Sequence, residues 1–199
     1  MVNKYSAGSV KYLLWFVETK ETVRLCQEHN MSEVREIVIR GNVYQQRAES
    51  RIISEFGCIR RRIENTPEDV MNQILTADVS TAKIIALISA MESDRMLFEL
   101  VYELYGEKLR LGEEEITDAD MNIFFDRKID QDSTVAAWTE TTIKKLKSTY
   151  IRFLIEAGIL KKDEDDRKKI VRPFIDDDLR KALKDNDMAN FLYAFTGER

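Results

Sequence analysis

In the C-terminal half of the chain, apolar residues recur with the spacing of a helix that has one wet side. After Trp138-Thr139 they fall at Ile143, Leu146, Tyr150, Phe153, Leu154 and Ala157. Steps of three and four place them on one stripe. Thr141, Lys145, Ser148 and Arg152 occupy the opposite side, with Lys144 and Lys147 on its flanks. The helix thus offers one face to a core and the other to an anion. Gly158 ends it. Beyond, Ile159-Leu160-Lys161-Lys162 and Arg167-Lys168-Lys169-Ile170-Val171-Arg172-Pro173 flank the polar run Asp163-Glu164-Asp165-Asp166. Two short basic-apolar arms around an acidic turn predict a hairpin. Together with a short preceding helix and turn, this reads as a helix-turn-helix with a wing. Lys168 and Lys169 on the arms would face a nucleic acid, and the acidic tip would point away.

A second segment has a similar outline. Ser32 is a candidate cap for a short helix, Glu33 to Ile39, that turns Val34, Ile37 and Val38 inward. Arg40-Gly41-Asn42 supplies a turn, because Gly and Asn tolerate positive φ. The pattern then predicts a longer helix over 43–63, with Tyr44, Ala48, Ile52, Phe56, Ile59 and Ile63 as its inner stripe. In such a motif the second helix presents its N-terminal turns to base edges. Gln45, Gln46 and Arg47 are therefore candidate base readers or phosphate clamps, and Arg51 a backbone contact.

Around these segments the pattern is helical throughout. Residues 10–28 read as one apolar helix burying Leu13, Leu14, Phe16, Val17 and Leu25. Thr66-Pro67-Glu68 starts a short helix through Leu75, and residues 82–91 are apolar nearly all round, as in the centre of a bundle. Asp94 is a candidate cap for the helix carrying Met96, Leu97, Leu100, Val101, Leu104 and Tyr105. Gly112-Glu113-Glu114-Glu115 reads as a linker, Thr117 or Asp118 as the next cap, and residues 176–195 as one final helix. The expected fold is all-α: a helical bundle with two helix-turn-helix elements, the C-terminal one winged by a short β-hairpin. Three regions follow, 1–65, 66–115 and 116–199.

Two prolines and seven glycines in 199 residues agree with that reading. Charge changes the picture more. The net charge is −5, yet residues 35–62 carry seven Arg against three Glu, and residues 139–172 carry ten Lys and Arg against six acids. Residues 63–138 carry 17 acids against six bases. Two basic segments therefore bracket an acidic middle, and a divided footprint of this kind still neutralises phosphates. No apolar run approaches the roughly 20 residues of a membrane span, and no signal peptide is recognisable. Cys26 and Cys58 lack metal-ligand spacing and read as free thiols in a reducing cytoplasm. There is no phosphate-binding glycine loop, dinucleotide fingerprint or zinc-protease motif, and His29 is the lone histidine. No cofactor, metal or catalytic residue is expected. Asp176 to Asp178 read as carboxylates at a helix start.

Tyr5-Ser6-Ala7-Gly8, Asn122-Ile123-Phe124-Phe125 and the run from Trp138-Thr139 through Arg152-Phe153-Leu154 to Ala157-Gly158-Ile159-Leu160 resemble the BrxA family. These are small accessory proteins of bacteriophage exclusion (BREX) defence systems. The likeness covers roughly residues 3 to 160. It implies a mostly helical cytoplasmic protein that binds double-stranded DNA and acts beside the system's methyltransferase and ATPase, with no catalytic residue. A monomer is the expected state. Two other readings stay open: a protein-protein adaptor whose acidic middle docks a basic partner, and an RNA-binding helical protein. The lack of basic-aromatic alternation weighs against single-strand stacking.

Overall fold

The structure, a computed structural model, describes residues 4–197. A one-turn 3-10 segment at Gly8–Lys11 precedes α1 (Phe16–Cys26), α2 (Met31–Arg40) and α3 (Glu49–Asn65). Then come α4 (Glu68–Asn72), α5 (Val79–Ser93) and α6 (Arg95–Glu99). A π-wound stretch, Leu100–Tyr105, continues α6 into α7 (Gly106–Leu111). β1 (Glu115–Ile116) leads to α8 (Asp118–Gln131), α9 (Ser133–Ala136) and α10 (Glu140–Glu156). β2 (Leu160–Lys162) and β3 (Lys168–Ile170) follow, then α11 (Asp177–Asp185) and α12 (Ala189–Thr196). The chain is mostly helical, as expected, with one small sheet.

Helix α5 lies in the middle because it has no wet side: Ala82 and Ile84 through Met91 are all buried. Around it one large core runs from Tyr5 and Leu14 to Phe195 and takes side chains from every part of the chain except the 34–59 stretch. A second, smaller core holds Val34, Val38, Tyr44, Ile52, Phe56 and Ile59 between α2 and α3. Helix α7 packs closely on α12. A Cβ on Gly106 would stand 3.1 Å from the Ala194 carbonyl oxygen, so a side chain there would push the two helices apart.

Four expected elements are drawn differently. The helix predicted over 10–28 begins only at Phe16, because Tyr12 is extended and Trp15 is left-handed (φ 55°). The buried Arg62 guanidinium donates to the carbonyls of Leu13 (3.1 Å) and Leu14 (2.7 Å), which a helix would have used itself. Asn30, not Ser32, caps α2, in a reciprocal capping box with Glu33. The helix predicted from Val43 starts at Glu49. The preceding turn is held by Asn42, whose side chain bonds the backbone of Gln46 from both sides, and by Tyr44, whose hydroxyl pairs with Thr22 on α1 at 2.6 Å. The final helix is two, broken where Asp187 turns left-handed (φ 58°) and the Asn186 side chain bonds Asp69. Thr117 caps α8 and Gly158 (φ 82°) closes α10, as the pattern predicts.

The expected hairpin is present: β2 and β3 pair antiparallel, with Lys161 opposite Lys169. Strand β1 adds to its far side in the order β1-β3-β2, so the segment read as a linker is a sheet edge. Strands of two and three residues cannot stand alone. Ile116 and Leu160 anchor this sheet in the main core.

The Asp94 carboxylate ties the layers together. It caps α6 through Leu97 N (3.2 Å), accepts the Tyr150 hydroxyl of α10 (2.9 Å) and accepts the Ser9 hydroxyl of the N-terminal segment. Burial pushes its pKa up, against the pull of these donors. Asp94→Ala should lower unfolding free energy by about 2–4 kcal/mol, combining a lost cap of about 1 kcal/mol with a stranded buried hydroxyl. Tyr150→Phe, which keeps the ring, should cost only about 1 kcal/mol. Urea denaturation of the two variants checks the order; a cost for Asp94→Ala within error of zero contradicts it.

Candidate nucleic-acid interface

Helix α10 buries Leu146, Thr149, Tyr150, Ile151, Phe153 and Leu154, which fixes the rotation of its other face. Thr141, Lys144, Lys145, Ser148 and Arg152 are all exposed. Its start is set by Thr139, whose hydroxyl accepts from Thr142 N at 3.2 Å. The start of α8 and the hairpin both adjoin it, and the Asp118–Lys168 ion pair joins them at 2.8 Å. Along α10 runs a groove of about 740 Å³, lined on α10 by Lys144, Lys147, Ser148 and Arg152, on α8 by Asp118 and Asn122, and on the hairpin by Lys162 and Lys168. Glu140 lines its entrance from the helix start.

The cations of this surface fall into two sets. Lys144 and Lys145 make no ion pair among the described residues. Arg152 donates to the Tyr12 carbonyl at 3.2 Å and lies within electrostatic reach of Glu156, one turn further along α10, without forming an ion pair among the described residues. Lys147 reaches the Asn122 side-chain oxygen (2.7 Å) and lies over the Phe125 ring. Three hairpin lysines, by contrast, are matched with acids, while Lys161 makes no ion pair among the described residues. Lys168 pairs with Asp118 at 2.8 Å, Lys169 with Glu115 at 3.1 Å, and Lys162 with Asp166 at 2.5 Å. Arg167 is held by Asp163 at 2.8 Å. The acidic tip therefore neutralises Lys162 and Arg167, while Lys168 and Lys169 are matched by acids of α8 and β1. Exposed pairs of this type are worth about 0–1 kcal/mol, so a phosphate could exchange with them.

The N-terminal candidates separate in the same way. Arg47 and Arg51 are exposed and carry no ion pair among the described residues. Gln45 is exposed at φ 52° on the connection before α3, not on a helical turn. Gln46 is committed inward: its amide donates to Glu55 Oε2 at 3.0 Å. The expectation that Gln45, Gln46 and Arg47 sit on the first turns of a helix is thus corrected, because Asn42 and Tyr44 hold that stretch in a turn. Arg51, on the first turn of α3, lines a cleft of about 410 Å³ with Lys11, Tyr12, Trp15, Gln46 and Glu55.

The comparisons with known proteins bear on this geometry. The model of the BrxA family matches residues 3–187. A relative from Bacillus cereus (strain H3081.97), described as BREX protein BrxA, is 37% identical over 172 residues, covering 86% of each chain. The chain belongs to the BrxA family. Its membership places it with the BREX phage-defence system. A crystal structure of an uncharacterized protein from Magnetospirillum magneticum superposes with a TM-score of 0.81 over 97% of this chain and 98% of that one, at 15% identity, and shows a shared fold.

The segments that carry the BrxA resemblance are here packing and strapping positions. Tyr5 donates to Glu99 at 2.6 Å, beneath the Arg95 guanidinium, 4.1 Å from its ring centroid. Phe125 stacks on Tyr150 at 6.4 Å. In this BrxA-family chain the residues missed by pattern reading are Ser9, Tyr12 and Arg62, which bind the N-terminal segment across both basic regions. Their contacts are with residues 48 to 140 positions away, and no local periodicity signals that. Among the described residues no cluster of three or more His, Cys, Asp or Glu could hold a metal ion, and no helix is long and apolar enough to cross a membrane.

Glu55 supplies a pH test. It is only 4% exposed, and among the described residues its Oε1 has no hydrogen-bond partner. Burial, then the Glu18 carboxylate, push its pKa up to about 7, against the Gln46 hydrogen bond. The folded state thus holds this proton more tightly than the unfolded state, whose glutamate has a pKa of about 4.3. Its stabilising effect is complete below that value and declines as pH rises through about 7. Glu55→Gln should therefore gain stability relative to wild type between pH 5 and pH 8, read from urea midpoints at both. A constant difference between the two proteins across that window would contradict the assignment.

Proposed function

We propose that this chain is a non-catalytic double-stranded DNA-binding accessory protein of a BREX system, acting in the cytoplasm as a monomer. In this reading α8, α9, α10 and the hairpin form a winged helix-turn-helix, and α2, the following turn and α3 form a second helix-turn-helix. The observation that carries it is the exposed face of α10. Lys144, Lys145 and Arg152 stand there outside any ion pair among the described residues, beside a groove walled by a hairpin. A helix with its base-side residues exposed and cations on its flanks is suited to lie along phosphates and enter a major groove. Arg47 and Arg51 would add backbone contacts from the second element. Thr141 and Ser148 would donate to phosphate or base edges, with Lys147, Lys168 and Lys169 joining when phosphate displaces their present partners.

A second reading, an adaptor within the defence complex, draws support from the charge-matched hairpin and from Phe174, which is 76% exposed just beyond it. The methyltransferase and ATPase of the system are the partners to try in that case. The two readings separate cleanly. Fluorescence anisotropy with a labelled duplex of about 30 base pairs, repeated over a salt series, should show saturable binding. Each neutralised phosphate contributes about 0.9 to the log-log salt slope. Lys144→Glu/Lys145→Glu should weaken binding at least tenfold and flatten the slope, and Arg47→Glu/Arg51→Glu should do so to a smaller degree. Absence of binding at low salt by folded wild-type protein would sink the DNA reading.

A further inference from the structure

The cleft beside the start of α3 contains a group that neither basic surface accounts for. Glu55 lines it together with Lys11, Tyr12, Trp15, Gln46 and Arg51. This side chain is 4% exposed, and its Oε1 has no hydrogen-bond partner among the described residues. Its Oε2 takes one donor there, the Gln46 amide at 3.0 Å. The charge that acts on it is the Glu18 carboxylate, which adds to the want of donors. A buried acceptor left unsatisfied is costly. Asp94 shows the opposite case in the same chain, with donors from Ser9, Leu97 and Tyr150. Glu55 is thus an acceptor with unused capacity in the wall of a cleft.

The other groups of the cleft narrow what could supply those donors. The rings of Tyr12 and Trp15 stand 5.6 Å apart at 49°, and both are half-buried. Lys11 and Arg51 are exposed and make no ion pair among the described residues. A plain cation fits poorly beside Lys11 and Arg51, and a plain anion fits poorly beside Glu55 and Glu18. A guest that suits all of them carries adjacent N–H donors, a planar body and an anionic end. The volume of about 410 Å³ lies in the range of small-ligand sites.

We propose that this cleft binds a guanine nucleotide: Glu55 reads the base, the Tyr12–Trp15 pair stacks on it, and Lys11 and Arg51 hold the phosphate. Guanine is singled out by its Watson–Crick edge, where a ring N–H and an amino group stand side by side as donors. Adenine and cytosine place an acceptor next to their amino group, and uracil and thymine flank one N–H with two carbonyls. Each of those would turn an acceptor toward a group that only accepts when ionised. Base stacking on aromatic rings supplies affinity for any base, so the choice of guanine falls to Glu55. The site does not depend on duplex binding, and Arg51 is the residue the two readings share. A free nucleotide and an unpaired guanine within a strand offer the same chemistry.

Isothermal titration calorimetry of the full chain tests this at pH 8, above the value of about 7 at which Glu55 gives up its proton. Guanosine 5′-monophosphate should bind saturably. Adenosine and inosine 5′-monophosphates and inorganic phosphate should bind at least about tenfold more weakly, since each lacks a matched donor. Glu55→Gln, which keeps the side-chain length, should bring guanosine 5′-monophosphate down to the level of the adenosine compound. Arg51→Gln should weaken the guanine nucleotide yet leave guanosine, which has no phosphate, unaffected. A short oligothymidylate with one central guanine, set against the all-thymine strand, separates the sources. A gain from the guanine assigns the site to a strand, and no gain assigns it to the free nucleotide. Equal binding of phosphate or of the adenine nucleotide, or no binding of the guanine nucleotide, would overturn the proposal. These comparisons use wild type and hold even if a variant disturbs the fold by circular dichroism. Duplex binding is read separately, so the two proposals can fail independently.

Discussion

A carboxylate drawn out of water is tolerated only when donors surround it, and Asp94 meets this condition by recruiting them from three distant parts of the chain. Ser9, the amide of Leu97 and the hydroxyl of Tyr150 converge on it. Each of these donors belongs to a different piece of machinery: the N-terminal segment, the long α6–α7 helix and the basic α10. Because the carboxylate needs all of them, their relative positions are coupled. Arg62 repeats the arrangement with opposite sign, a buried guanidinium satisfied by two carbonyls of the same N-terminal segment. The rest of the molecule, including the placement of both basic surfaces, is built around these two buried charges.

The helices were legible where burial obeys a local period. The stripe on α10, the all-apolar α5 and the caps at Thr117, Asp94 and Asp176 could be read from neighbours a few residues apart. The hairpin was legible from local order too, as two short basic-apolar arms on either side of an acidic turn. What could not be read depends on partners far away in sequence. Residues 12–15 leave the helical path because Arg62 takes their carbonyls, and residues 42–46 do so because Tyr44 is tethered to Thr22. Strand β1 is two residues long, and only its pairing with β3 distinguishes it from a linker.

The candidate interface shows the same division. The exposed face of α10 follows directly from the buried one. Whether a given lysine is free to meet an anion does not follow from the helix period, because it depends on which acids the fold brings near it. Lys144 and Lys168 look alike in the sequence, yet the second faces Asp118 from a helix fifty residues earlier. Gln46 looked like a base reader, and the fold gives its amide to Glu55. Charge counts by segment located the basic surfaces, but only the tertiary structure separates matched from unmatched cations.

The strand pairing of β1 with β3 has a mechanical consequence. A wing built from a lone hairpin would be a finger, free to bend toward or away from whatever lies in the groove. Here the hairpin is stitched on its outer edge to the segment that joins α7 to α8, and Tyr105 within the π-wound stretch donates to the Val171 carbonyl at the end of β3. The hairpin side of the groove is therefore held to two other parts of the chain and cannot swing independently of them. Under the DNA-binding proposal, a wall of this stiffness would make selection act on the shape and pliancy of the guest more than on the identity of any one contact.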